Sequence, residues 1–497
     1  MHSDKVFPEK RVAKDGNPVI IEILCILGKY ILQKGGVTVA LRSRLYAFWM
    51  TRRPKSISAT KVIAVMFAFI ILLGACLLNL PAASRSGICC GFRAALFTAT
   101  SATCVTGLSL FDTYTQWSGF GQTVILLLIQ IGGLGFMSAA TLVVFALRRR
   151  IGLKQRLVMA QALSVSDMDG IVKLQKTVLI GSFSIEAMGA LLLIVRFWPE
   201  YGFAAAVKWG VFHSISAFCN AGFDIFGSIT PGASLMEFQS DPVVLLTLGT
   251  LVVFGGLGFL VWQEIAEKRK FRSLSVYARL VLLTTSGLLL LGWILMLLLE
   301  WNNPDTLGTM SVSDKLLNGL FQSITLRTAG FASVDQSLLT EGGKAVSMVL
   351  MLIGGSSGST AGGLKTVTFV VLLLFVGTRA RGKTTACVFK RTIPENQVLD
   401  AMTIAMVMLF LAVFGGVFIS ATSPVGFTDA LYESVSALAT VGLTAGVTGS
   451  LSIPAQLLVI VYMYFGRVGV LTISLGFLMG NRAEERFRYA RTDLLIG

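Results

Sequence analysis

Histidine is almost absent from this chain. The 497 residues hold only His2 and His213, too few for a histidine-based zinc centre or a His-dependent active site. Charge is scarce too, at 14% of residues against 54% hydrophobic, which is outside the range of soluble globular domains. The seven cysteines are scattered without metal-ligand spacing, and the adjacent Cys89 and Cys90 read as a packing feature. No Walker motif occurs and no G-x-G-x-x-G follows a strand pattern, so no nucleotide-binding domain is evident. Two histidines and dispersed carboxylates supply no nucleophile–base set, which argues against an enzyme. No cleavable signal is evident: the apolar run Val19–Leu32 is short and holds Glu22 and Lys29, and reads as interfacial or cytoplasmic.

What the chain has in abundance is long apolar stretches, each near the roughly 20 residues a spanning helix needs. Five are uncharged: Val62–Leu80, Gly119–Leu147, Pro242–Trp262, Leu280–Leu299 and Ala401–Ala421. Three more carry one ionisable residue each, Thr177–Val195 with Glu186, Ala345–Val376 with Lys365, and Ala455–Gly480 with Arg467. Eight spans place 32 of the 42 Lys and Arg on one side, together with both termini. By the positive-inside rule that side is cytoplasmic. The opposite loops hold six basic and eleven acidic residues, a face that concentrates cations. The net charge of +16 is therefore a topology signal and does not imply nucleic acid.

Four short outer segments repeat one pattern: ALFTATSATCVTGL ending near Gly107, GVFHSISAFCNAGF near Gly222, GLFQSITLRTAGF near Gly330, and ALYESVSALATVGL near Gly442. The glycines are 115, 108 and 112 residues apart. Phe97, Phe212 and Tyr432 sit ten positions before their glycine; Phe321 sits nine before Gly330, so the third segment is one residue shorter. The following spans share a G-x-x-G mark: Gly132 to Gly135, Gly255 to Gly258, Gly355 to Gly358, and Gly466 to Gly469. Close helix packing alone would explain those marks. The predicted fold is all-α and membrane-embedded, with span, short helix, glycine loop and span repeated four times. Expected bounds are a basic segment 1–60, repeats 61–150, 151–272, 273–391 and 392–480, and a cytoplasmic tail 481–497.

A helix of about 11 residues reaches roughly 17 Å and cannot span. Entering from the outer face, it aims its negative C-terminal end at the membrane interior. The glycine that follows allows backbone angles that turn carbonyls toward an axis. Rings of carbonyls replace the hydration shell of a dehydrated cation. The candidate ion-binding residues are Val105, Thr106 and Gly107; Asn220, Ala221 and Gly222; Thr328, Ala329 and Gly330; and Thr440, Val441 and Gly442.

These motifs resemble the Trk/Ktr/HKT superfamily of potassium transporters, and within it the KtrB-type membrane subunits. The matching stretches are TSATCVTGL, SAFCNAGFD, RTAGF and TVGL at the four glycines, with GGSSGSTAGGLKT from Gly354 to Thr366 and FGRVG at Phe465–Gly469. The resemblance covers roughly 60–490. It implies four repeats around a pseudo-fourfold pore, one pore per subunit of a homodimer, and glycine at all four filter positions, as in potassium-selective members. It also implies K+ as the transported ion, Na+ as an activator, no covalently bound cofactor, and a cytosolic nucleotide-binding ring of the KtrA type as partner. TrkH-type relatives, which couple K+ to Na+ or H+, carry two additional N-terminal spans that this chain does not clearly show.

The run 354–363 has little helix propensity and few groups suited to lipid, so it must face the pore or its water. In the family it is the intramembrane gate loop, which here comprises Gly355, Ser356, Ser357, Gly358, Ser359, Thr360, Ala361, Gly362 and Gly363. Lys365 either anchors that loop or snorkels to the interface. Arg467 aligns with Gly133, Gly256 and Ser356, which directs it at the pore axis; the alternative is a structural pair with a buried carboxylate such as Glu186 or Glu433. The basic loops either contact a regulator or only fix topology and meet anionic lipid. A secondary carrier with broken helices is the main rival architecture, but it would not explain four same-direction repeats.

Overall fold

The computed structural model describes residues 59–135 and 171–469. The expected N-terminal segment, the tail 481–497, and the inner parts of the spans Gly119–Leu147 and Ala455–Gly480 lie wholly or partly outside these residues. The helices are α1 (Ala59–Leu78), α2 (Phe92–Cys104), α3 (Gly119–Leu134), α4 (Ile171–Tyr201), α5 (Phe203–Phe218), α6 (Pro242–Leu257) and α7 (Phe259–Lys268). They continue with α8 (Val276–Glu300), α9 (Val312–Thr325), α10 (Glu341–Leu352), α11 (Thr366–Ala380), α12 (Glu395–Thr422), α13 (Phe427–Leu438) and α14 (Ile453–Val468). The order long helix, short helix, loop and second helix thus recurs four times, opening at α1, α4, α8 and α12.

Local chemistry sets the starts of the second helices. Ser118, Asp241, Thr340 and Ser452 cap α3, α6, α10 and α14, each side chain accepting from a backbone N–H of the first turn. Their ends follow the G-x-x-G mark. The last glycine, Gly135, Gly258 or Gly469, terminates α3, α6 or α14 with φ of 82°, 90° and 93°. At Gly258 the chain turns by 94° into α7, so the run Pro242–Trp262 is a bent pair and not one straight span. Among the described residues, four helices are long and apolar enough to cross a membrane, or five counting that pair.

The long helices keep one apolar side unpacked. Leu290, Ile294 and Leu298 on α8, and Met406, Phe410 and Phe414 on α12, are exposed. Rows of that kind belong against lipid. Their other side packs on the short helices through small residues. Gly74, Gly189, Gly292 and Gly415 stand against Ala99, Ser214, Ser323 and Ser434. Three of those serines donate to a carbonyl of the long helix, at Glu186, Leu289 and Ala412. The all-α expectation needs one amendment. Cys387–Val388 and Arg391–Thr392 pair as a small antiparallel hairpin, turned by Phe389 and Lys390 at positive φ.

Candidate ion pathway

The four glycines meet. A Cβ added to Gly107 would stand 3.2 Å from the Gly222 Cα; one on Gly222, 2.7 Å from Gly330; one on Gly330, 3.4 Å from Gly442; and one on Gly442, 3.0 Å from Gly107. The circuit is closed. The atom each Cβ would strike or crowd is the carbonyl oxygen before the neighbouring glycine: Ala221, Ala329, Val441 and Thr106 in turn. The four glycines named from the sequence are therefore brought together, each beside the carbonyl that precedes the next glycine.

The backbone repeats its conformation around that ring. Val105, Asn220, Thr328 and Thr440 have φ of 58°, 59°, 66° and 52°, and two residues later each glycine is again at positive φ. A β-branched residue at positive φ is an outlier that costs on the order of 1–3 kcal/mol, and such strain gathers at functional sites. Three of these four residues are β-branched.

The short helices hold the strained loops from behind. The N–H groups of Thr106, Ala221 and Val441 donate to the carbonyls of Ser101, Ser216 and Ser436, each at 2.8 Å. The Ser101 and Ser436 hydroxyls accept from the N–H of Gly107 and Gly442, at 3.0 and 3.1 Å. The Ser216 and Thr325 hydroxyls donate to the carbonyls of Phe223 and Phe331. Donors are thus consumed on the outside of the ring, and carbonyls remain for its interior. These Ser and Thr residues were visible as an aligned column six positions before the glycine, five in the third repeat, but their role was not read from the sequence.

In or next to the ring loops, the hydroxyls of Thr103, Thr106, Thr328 and Thr440 are buried without a hydrogen-bond partner. Orphaned buried oxygens suit water or a cation. The C-terminal ends of α2, α5, α9 and α13 converge here, and their partial negative charge favours a cation as well.

The glycine-rich run 354–363 crosses beneath this ring. Its Ser356 and Thr360 N–H groups donate to the carbonyls of Gly256 and Gly255, at 3.0 and 3.2 Å. The Phe259 N–H donates to the Gly358 carbonyl and the Tyr277 hydroxyl to that of Ser357. The Thr360 hydroxyl lies 3.1 Å from the Asn220 side-chain amide, and Gly362 lies against the Thr440 side chain. Lys365 Nζ donates to the Ala361 carbonyl at 2.7 Å, so it anchors the run.

Arg467 reaches three carbonyls. Nη1 donates to Thr360, while Nη2 donates to Gly132 and, at 3.0 Å, to Gly133. It bridges the glycine-rich run to α3. Among the described residues no carboxylate forms an ion pair with it. Glu186 accepts from Gln130 Nε2 through both oxygens, and Glu433 accepts from the Thr448 hydroxyl. The first glycines of three G-x-x-G marks, Gly132, Gly255 and Gly466, pack against the carbonyls of Thr103, Phe218 and Leu438. Those glycines permit close approach of the second helices to the C-terminal ends of α2, α5 and α13, the packing role the sequence had left open.

In the outer loop just past Gly222, Asp224 lies near Asp112. Burial first, and the Asp112 charge second, push its carboxyl pKa up to about 7.

Residues 28–486 match the TrkH family model, described as cation transport protein. The chain is 40% identical to the potassium/sodium uptake protein NtpJ of Enterococcus hirae, over 89% of this chain and 98% of that one. It is 39% identical to the Ktr system potassium uptake protein B of Bacillus subtilis, over 88% and 96%. The crystal structure of the potassium transporter TrkH from Vibrio parahaemolyticus superposes with a TM-score of 0.67 over 86% of both chains, at 18% identity, a likeness of fold. The chain therefore belongs to the TrkH family of cation transport proteins and is a multi-pass membrane transporter, not an enzyme.

Proposed function

We propose that this protein takes up K+ through one pore per chain, selected at the ring of Gly107, Gly222, Gly330 and Gly442. The observation that carries the reading is the closed circuit of four glycines with a carbonyl between each pair. A bare K+ exchanges its water for such oxygens, and a side chain at any of the four positions would crowd the ring. The run 354–363 and Arg467 form the gate. A fixed positive charge beneath the ring raises the barrier to a cation, and its three carbonyl bonds hold the run in place.

Eight spans in a pseudo-fourfold array, with the repeat bounds given above and both termini cytoplasmic, complete the architecture. The relatives are named for potassium or potassium/sodium uptake and for a Ktr system. Na+ activation, a homodimer and a cytosolic nucleotide-binding ring are accordingly part of this proposal. The test is K+ uptake by cells stripped of their own K+ systems and expressing this chain, with and without Na+. Saturable uptake that prefers K+ over Na+ is expected. Protein present in the membrane without such uptake would refute the reading.

A further inference from the structure

Three of the four ring loops carry a small residue three positions before the glycine: Cys104, Cys219 and Ala439. The third carries Arg327, which is 7% exposed. This is also the repeat whose second helix is interrupted by the run 354–363, between α10 and α11. Arg327 Nη2 donates to the Gly354 carbonyl at 2.9 Å and to the Thr366 hydroxyl at 3.1 Å. Gly354 and Thr366 are the two ends of the glycine-rich excursion.

Those ends are already joined. The Gly354 N–H donates to the Leu364 carbonyl, the Leu364 N–H to that of Leu352, and the Thr366 N–H to that of Gly355. The Thr366 hydroxyl also donates to the Gly354 carbonyl. The base of the run is a small closed clasp, and Arg327 ties it to Thr328, the strained residue next along the ring loop. No ion pair neutralises Arg327 among the described residues. Its Nη1 is unpartnered, and Arg327 lines a small cavity together with Thr285, Gly256 and Gly355. A buried guanidinium held only by the clasp makes its strongest bonds there.

We propose that Arg327 is a positioning residue that yokes the third ring loop to the base of the glycine-rich run, so that gate position and ion selection are linked. The inference rests on the filter and gate reading above. The other ring loops carry Cys104, Cys219 and Ala439 at this position, and the arginine stands in the repeat that holds the run 354–363, where it alone of the four can bond the base of that run.

The experiment compares K+ and Na+ uptake in the full chain bearing Arg327→Gln, Arg327→Lys or Thr366→Val, beside Arg467→Ala and Gly442→Ser as controls. Arg327→Gln, which removes the charge from both bonds to the clasp, is expected to lower the K+/Na+ preference by about tenfold while raising maximal flux. Thr366→Val removes the hydroxyl that accepts from Arg327 and donates to the Gly354 carbonyl, while leaving the Arg327–Gly354 bond, and is expected to shift both quantities less and in the same direction. Arg327→Lys keeps a donor and is expected to fall between native and Arg327→Gln. A purely structural role would lower the amount of protein and the flux but leave the preference as in the native chain. If Arg327→Gln does not reach the membrane, Thr366→Val decides. Native preference in the recovered variants, while Arg467→Ala still raises flux and Gly442→Ser still lowers preference, overturns the yoke alone. Unchanged flux and preference in both controls overturns the filter and gate reading, and the yoke with it.

Discussion

The Arg467 guanidinium donates through Nη1 to the Thr360 carbonyl, from α14 to the glycine-rich run between α10 and α11. Through Nη2 it also holds Gly132 and Gly133. Inserting an arginine at membrane depth costs roughly 2.5–3.5 kcal/mol on translocon scales. Three carbonyls offset part of that cost, and among the described residues no carboxylate pairs with it.

Arg467→Ala removes the charge and the bridge together. Maximal K+ uptake is expected to rise by about tenfold, equivalent to roughly 1.4 kcal/mol off the barrier. Arg467→Lys keeps the charge but has no second nitrogen to hold both α3 and the glycine-rich run, so a smaller rise is expected. Concentration-dependent uptake at equal protein amount checks this, and a fall in flux in both variants would instead mark a structural strut.

Gly222→Ser adds a Cβ within 2.7 Å of the Gly330 Cα at a positive φ, so the ring must open. Its K+ preference over Na+ is expected to fall by about tenfold or more. Competition between the two ions for uptake measures it.

Ser436→Ala deletes the hydroxyl that accepts from the Gly442 N–H. The ring keeps its glycines but loses about 1 kcal/mol of restraint on one loop. Preference is expected to decline less than in Gly222→Ser, with K+ affinity weakened several-fold in the same uptake assay. Tyr277→Phe, which frees the Ser357 carbonyl of the run, is expected to raise flux and leave preference unchanged.

Asp224 titrates near pH 7. Below that pH its carboxyl is neutral, and above it a negative charge stands beside the outer mouth. Apparent K+ affinity is expected to be lower at pH 6 than at pH 8, and Asp224→Asn is expected to show the low-pH value throughout. An unaltered pH profile in that variant would remove Asp224 from the entry path.

Much of this was legible because the motifs recur. Gly107, Gly222, Gly330 and Gly442 stood out by spacing, and the break after Gly354 by its composition. Three features were not legible. Gly258 ends α6 and turns the chain by 94°, although Pro242–Trp262 reads as an uninterrupted apolar run; the turn depends on the Phe259 N–H finding the Gly358 carbonyl a hundred residues away. The glycines of the long helices, from Gly74 to Gly415, matter through the short helices they meet, and apolar periodicity does not mark such partners. Whether Lys365 turned inward or toward the interface depended on an acceptor, the Ala361 carbonyl, that only the folded run presents. Repeat alignment directed Arg467 at the pore axis but did not give its partners, which among the described residues are the carbonyls of Gly132, Gly133 and Thr360 and not a carboxylate.

The central claim is that backbone oxygens of four loops bind a dehydrated monovalent cation. Anomalous diffraction or an ion-resolved density map of the purified protein in Rb+ tests it most directly. A peak centred among the carbonyls of Thr106, Ala221, Ala329 and Val441, absent when Na+ replaces Rb+, is the predicted result. Rb+ bound only to carboxylates of the outer loops, with nothing inside the circuit of glycines, would contradict it.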